Sequence, residues 1–167
     1  GDGAPCALAR AGSKATPPAA PRCSALRCRV SRGDPDVVSS GSALERIVAS
    51  LDAAGIPHMV AGSFASTFHG EPRTTHDIDL VIDPSRDALD RFVRSLDRGA
   101  FYVSAEAVDE AWRRRGLVNV IDLASGWKID LILRKDRPFS RSEFARRAPA
   151  RILDVDVFVA TAKDTVL

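Results

Sequence analysis

Two aspartates, Asp77 and Asp79, lie two positions apart in an apolar segment that Pro84 ends. Because strand side chains alternate between faces, the segment 77–83 predicts a strand with both carboxylates on one face. The other face is apolar and consists of Ile78, Leu80 and Ile82. Carboxylates this close repel one another unless a cation lies between them. Mg²⁺ (or Mn²⁺) is the cation we expect, because Mg²⁺ prefers oxygen ligands and binds through one or two carboxylates plus substrate phosphates.

A third carboxylate must come from a neighbouring strand, because two-metal phosphoryl transfer needs ions that clamp both the attacking and the leaving oxygen. Asp130 is the candidate, since it lies in an apolar strand-like segment and shares a face with Lys128. Asp122 is its rival, because it also ends an apolar segment. The pair Asp154 and Asp156 has the same spacing as the first pair but follows no Gly-Ser turn, which indicates solvated surface.

The dipeptide Gly62-Ser63 follows the short apolar run 58–61 and precedes a helical segment at 64–68. A glycine at a strand-to-helix turn lets the backbone approach a phosphate, and the first amides of the helix add donors and positive dipole. Thirteen residues separate Ser63 from Asp77. The order strand, Gly-Ser turn, helix, Asp-x-Asp strand therefore favours phosphate binding beside a metal.

The segments 60–64 and 73–82 resemble the minimal nucleotidyltransferase fold of the DNA polymerase beta superfamily. They look most like the AbiEii-type proteins of toxin–antitoxin systems and their uncharacterised bacterial relatives. The resemblance covers residues 44–167 and implies an α/β (α+β) fold, a small mixed sheet flanked by helices. The chain differs from the family in two ways. The family usually has an arginine soon after the Gly-Ser turn, where this chain has Phe64-Ala65-Ser66-Thr67, and the family's C-terminal helices would be expected after Leu167.

The resemblance also implies roles for individual residues. Gly62 and Ser63 would bind the triphosphate, and Arg73 and Lys128 would neutralise its charge. Asp77 and Asp79 would hold magnesium, and Asp130 would either hold metal or act as the base for the attacking hydroxyl. The implied activity is transfer of a nucleoside monophosphate from an NTP to an RNA or protein hydroxyl, with a cognate antitoxin as partner. The alternatives are an antibiotic nucleotidyltransferase acting on aminoglycosides or lincosamides, and a catalytically silent nucleotide-binding partner or antitoxin.

The remaining pattern predicts the elements that position these residues. Ser42 and Glu45 have capping-box spacing and predict a helix over 43–54. Ser125-Gly126 predicts the turn of a hairpin. Further elements are predicted as helices at 85–97 and 105–115, strands at 101–103, 117–124, 128–133 and 151–159, and a helix that begins at 161.

Composition bounds the class of protein. The chain has 167 residues, 45% hydrophobic and 28% charged, with a net charge of +2. No apolar stretch is long enough for a membrane span, so we expect a soluble, cytoplasmic protein without a membrane partner. Residues 1–43 hold all three cysteines and half of the prolines, and they predict a disordered tail before a domain at 44–167.

Two further residue types, arginine and histidine, are candidates for function. Arg113-Arg114-Arg115 and the later arginines suggest an RNA surface, although basic residues that close a helix also favour its dipole. Of the histidines, His76 is a candidate ligand because it neighbours Asp77, whereas His58 and His69 are interpreted as structural.

Overall fold

The computed structural model describes residues 35–68 and 77–165. The predicted tail up to residue 34 lies outside the described residues. So do Arg73, His69 and His76, and for these the sequence-based predictions stay predictions.

A seven-stranded mixed sheet forms the centre of the fold, with strand order β3-β4-β5-β2-β1-β7-β6. Strands β2 and β5 are parallel, as are β1 and β7, and the other neighbours are antiparallel. The strands are β1 His58–Val60, β2 Asp77–Ile82, β3 Phe101–Val103, β4 Leu117–Asp122, β5 Lys128–Leu133, β6 Ala148–Ile152 and β7 Val155–Val159. The predicted α/β class, a mixed sheet with interspersed helices, is confirmed.

Six helices accompany the strands in the described part of the chain. They are α1 Pro35–Ala53, α2 Gly62–Phe68, α3 Arg86–Ser95, α4 Ala105–Arg114, α5 Pro138–Ala145 and α6 Ala162–Thr165. None of these helices combines the length and the apolar character needed to cross a membrane.

The main core lies on one face of the sheet. Alternate residues of β2 and β5 face it, and helices α1, α3 and α4 supply the other side, for example through Leu44, Phe92 and Val108. Ile78, Leu80 and Ile82 are fully buried there, which confirms the predicted alternation along β2. The opposite face therefore carries the polar residues of β2 and β5.

Helix α1 corrects one predicted boundary, because it begins at Pro35 and not at residue 43. Residues 35–43 are thus helical, although the sequence analysis placed them in the tail. Ser42 is not a cap but lies within the helix, where its hydroxyl accepts a hydrogen bond of 2.8 Å from Arg46. The glycine before it does not break the helix, because Gly41 packs against Leu153, whose Cβ lies 3.3 Å from the position of an added Cβ.

The C-terminal part of the sheet differs from the prediction of one strand over 151–159. The chain forms two antiparallel strands, β6 and β7, joined by a tight turn. Leu153 and Asp154 both have positive φ, 49° and 66°, which suits the turns that connect hairpin strands. Helix α5 was not predicted, because its first residues lack a capping side chain and Phe144 is its one buried residue.

Candidate active site

The pairing of β2 with β5 brings the predicted residues together. These strands are parallel and in register, so Asp79 lies opposite Asp130 and Asp77 lies opposite Lys128. Neighbouring strands are about 4.8 Å apart, and residues directly opposite one another share a face of the sheet. All four side chains therefore occupy one small area of the face that the main core leaves open.

Lys128 lies between two of the carboxylates. Its Nζ is 3.4 Å from Asp77 Oδ1 and 3.2 Å from Asp130 Oδ2. Hydrogen bonding to Asp130, with a smaller contribution from Asp77, raises the pKa of Lys128 above its ordinary value. The ammonium group therefore stays charged at neutral pH and offsets part of the negative charge of the cluster.

Asp79 lies partly buried among negative charges. Burial raises the pKa of its carboxyl, and the negative charges of Asp130 and Asp77 raise it further. Lys128 and a hydrogen bond from the backbone N–H of Ser63 act in the opposite direction but do not cancel the rise. A cation placed beside Asp79 would relieve this repulsion.

Asp130 is nearly covered, with 9% of its surface exposed. Its Oδ2 contacts Lys128, whereas its Oδ1 is buried without a hydrogen-bond partner within the described residues. A buried carboxylate oxygen with no donor is costly unless water or a metal ion satisfies it. This oxygen is therefore suited to bind an ion.

The Gly62 turn fits against Asp79. Gly62 has φ of +60°, a conformation that disfavours L side chains, and an added Cβ would lie 2.0 Å from Asp79 Oδ2. The next backbone N–H, that of Ser63, donates to the Asp79 carboxylate, and the Asp79 carbonyl accepts from Ala61 N at 2.9 Å. The predicted phosphate-binding turn thus holds the carboxylate, and its contact with a phosphate stays a prediction.

The described residues offer a divalent cation two carboxylates and not a complete set of ligands. No group of three His, Cys, Asp or Glu side chains in residues 35–68 and 77–165 is arranged to hold a metal ion. Mg²⁺, however, commonly binds through one or two carboxylates together with substrate phosphates. The carboxylate of Asp79 and the unpartnered Oδ1 of Asp130 are two such groups on adjacent strands. Asp77, the third carboxylate of the cluster, forms an ion pair with Lys128.

Asp122, the rival for the third carboxylate, lies on the other face of the sheet. It is fully buried and forms an ion pair with Arg46 of α1, and Ser125 donates a second hydrogen bond to it. Asn119, and not Asp122, is the β4 residue opposite Asp130. Asp122 therefore belongs to the packing of α1 on the sheet.

The other candidates have structural settings. Asp154 and Asp156 are exposed and lie 3.8 Å and 3.9 Å from the guanidinium of Arg151. His58 is buried, with its Nδ1 3.1 Å from the Ile56 carbonyl oxygen. Of the three consecutive arginines that end α4, the first two form ion pairs with Glu110 and the third covers the Trp112 ring: Arg113, Arg114, Arg115.

Three residues near the carboxylates were missed by the sequence analysis. The register places Asn119 beside Asp130, Ile121 beside Lys128, and Tyr102 of β3 beside Ile121. Tyr102 is 57% exposed and Ile121 is 37% exposed. The apolar alternation of β4 was a usable signal for its faces, but the pairing partner of each residue was not readable from local sequence.

Comparison with known proteins gives a distant structural likeness. No protein-family model matches the chain, and no curated protein matches it. Among solved structures, it is similar to the crystal structure of JHP933 from Helicobacter pylori, with 14% identity and a TM-score of 0.34. The alignment covers 76% of this chain and 54% of that one, so the chain spans about half the length of that structure. A likeness of this size assigns no family.

Proposed function

We propose that this chain is a metal-dependent nucleotidyltransferase that moves a nucleoside monophosphate from an NTP to a hydroxyl of an RNA or protein acceptor. The observation that carries the proposal is the register of β2 and β5. It sets Asp79 against Asp130, and Asp77 against Lys128, beneath a glycine turn that tolerates no side chain. The motif resemblance of residues 60–64 and 73–82 to nucleotidyltransferases supports the same reaction.

Asp79 and Asp130 would hold Mg²⁺ or Mn²⁺, and Asp77 would join them if Lys128 were paired with a phosphate instead of the carboxylates. When bound, the metal neutralises triphosphate charge and stabilises the oxygens that attack and leave. Ser63 and Gly62 lie at the edge of the carboxylates, where the turn orients the triphosphate.

The reaction is a displacement at the α-phosphorus. The acceptor oxygen forms a bond to that phosphorus while the bond to the bridging oxygen of the β-phosphate breaks, and pyrophosphate leaves. The hydroxyl proton would pass to the Asp130 carboxylate, whose Oδ2 lies 3.2 Å from the ammonium group of Lys128. Lys128 neutralises negative charge nearby.

The test is label transfer with matched pairs of variants. The purified chain is incubated with Mg²⁺, each labelled NTP in turn, and total cellular RNA or protein. Asp77→Ala/Asp79→Ala removes the site pair, whereas Asp154→Ala/Asp156→Ala removes an exposed pair of the same spacing. We expect label on a macromolecule with wild type and with the second variant, and none with the first. Equal labelling by both variants would exclude a role of these carboxylates in transfer.

A second candidate is a catalytically silent nucleotide-binding partner, which would act as an antitoxin in a toxin–antitoxin pair. The position of Lys128 favours it, because a cation supplied by the chain neutralises two carboxylates without a metal. This candidate predicts NTP binding that is independent of Mg²⁺ and gives no transfer to any acceptor. Metal titration of NTP binding, measured by calorimetry, separates the two functions.

A further inference from the structure

An aromatic pair connects the Gly62 turn to the strand that carries Lys128 and Asp130. The rings of Phe64 and Trp127 meet edge to face, with their centroids 5.9 Å apart and an angle of 84° between their planes. Phe64 is two positions after Gly62, and Trp127 immediately precedes Lys128 at the start of β5. The pair therefore joins the two segments that border the carboxylates.

Trp127 is the fixed member of this pair. It is 6% exposed and packs in the main core. Its carbonyl oxygen accepts a hydrogen bond of 2.9 Å from the backbone N–H of Asp122, and its own backbone N–H donates to Ser125 Oγ at 3.4 Å. The turn between β4 and β5 and the core thus hold the indole ring in a fixed position relative to β5.

Phe64 is half-buried and belongs to the turn that needs support. The Ser63 N–H of this turn donates to the Asp79 carboxylate, which is the group proposed to bind metal. A metal ion would compete for the same oxygens, so this contact alone is a weak attachment. The contact between Phe64 and Trp127 does not depend on that charge. A turn held at one point can pivot, whereas a second point of attachment fixes its orientation.

We infer that Trp127 is a positioning residue of the proposed site. Through Phe64 it orients the turn whose N–H holds the Asp79 carboxylate beside Asp130. The register of β2 and β5 places the backbones of the two aspartates side by side, and the aromatic pair directs one of their side chains. The inference rests on the proposed function, because it takes these carboxylates as metal ligands, and it adds a residue that touches neither metal nor substrate.

Calorimetry with the Mn²⁺ complex of inorganic triphosphate tests this role without turnover. The complex offers metal and phosphates but no base and no acceptor. Trp127→Leu keeps an apolar side chain but removes the ring, and it should weaken binding by about 2-fold to 10-fold, the factor that one edge-to-face pair supplies. The number of complexes bound per chain should not change. A variant that was only partly unfolded would instead bind fewer complexes with unchanged affinity.

A double-variant cycle assigns the effect to the pair. Phe64→Leu should weaken binding by the same factor, and Phe64→Leu/Trp127→Leu should weaken it no further, because each single change already breaks the contact. Trp127→Phe keeps an aromatic ring and should retain most of the affinity. Trp112→Leu is the matched control, because Trp112 is the other tryptophan of the chain and also packs against the main core. Its affinity should equal that of wild type.

Three results would overturn the inference and leave the proposed function intact. They are wild-type affinity in Trp127→Leu, additive losses in the cycle, and an equal loss in Trp112→Leu, which would trace the effect to core packing in general. If Trp127→Leu does not fold, Phe64→Leu and Trp127→Phe provide the same comparison with smaller changes. Wild type that binds no complex would refute the proposed function and the inference with it. The expected losses without label transfer to any acceptor would support the positioning role and refute the transfer reaction.

Discussion

Replacement of Gly62 by alanine tests the fit between the turn and the carboxylate. A Cβ at this position would lie 2.0 Å from Asp79 Oδ2 and 2.8 Å from Asp79 Cγ, and φ at Gly62 is +60°. The left-handed conformation costs a non-glycine residue about 1 to 2 kcal/mol. Forcing extra volume against packed atoms costs about 1 to 3 kcal/mol more. Gly62→Ala should therefore lower the free energy of unfolding by roughly 2 to 5 kcal/mol.

Gly55→Ala is the matched control. Gly55 also has a positive φ, +69°, but an added Cβ would meet nothing within 4 Å. This variant should show the conformational cost alone, about 1 to 2 kcal/mol. The difference between the two variants isolates the collision with Asp79. Removing the carboxylate as well, in Gly62→Ala/Asp79→Ala, should recover most of that difference.

Urea unfolding followed by tryptophan fluorescence measures these values, because Trp127 is buried beside Phe64 of α2. Equal losses for Gly62→Ala and Gly55→Ala would refute the reasoning, and so would a double variant no more stable than Gly62→Ala. The same preparations should show that Gly62→Ala weakens metal-dependent NTP binding, whereas Gly55→Ala leaves it unchanged.

Three further predictions concern charge. The pKa of Asp79 is raised above its reference of 3.8, so the folded chain binds this proton more tightly than the unfolded chain, and wild-type stability falls as pH rises through the interval. Asp79→Asn should therefore be more stable than wild type at pH 7 in chelator, and pH-dependent urea unfolding should show this advantage vanishing below pH 3.8. Lys128→Met should lower the Tm by exposing Asp77 and Asp130 to mutual repulsion, and Mg²⁺ should restore it; an Mg²⁺-insensitive Tm would argue against an ion site. Arg46→Met should cost about 3 to 5 kcal/mol in urea unfolding by leaving buried Asp122 unpaired, whereas label transfer per folded molecule should survive Asp122→Asn.

The local pattern was sufficient to predict the strand that carries Asp77 and Asp79. Alternation of charged and apolar residues at 77–82 assigned both faces correctly, because the period of a strand is two. The hairpin at Ser125-Gly126 was also predicted correctly, and Gly126 has the positive φ, +75°, that such a turn uses.

The register between strands that are distant in sequence could not be predicted from the local residue pattern. Asp130 lies opposite Asp79 because β5 pairs in register with β2, whereas Asp122 lies on the buried face of β4, where Arg46 pairs with it. The start of α1 was missed for a similar reason. Glycine often marks the end of a helix. Gly41 instead lies within α1, where it allows a close contact with Leu153, a residue far along the chain.

The mutual fit of Gly62 and Asp79 means that substitutions at these two positions, which lie on different elements, depend on one another. While the carboxylate is present, no larger residue can enter the turn, because its first carbon would collide with the carboxylate oxygen. Once the carboxylate is lost, the turn is released from part of this constraint. Among chains that share this fold, a residue other than glycine at the turn is therefore expected only where the aspartate has been replaced. A change at the glycine would then mark chains that have lost the carboxylate site.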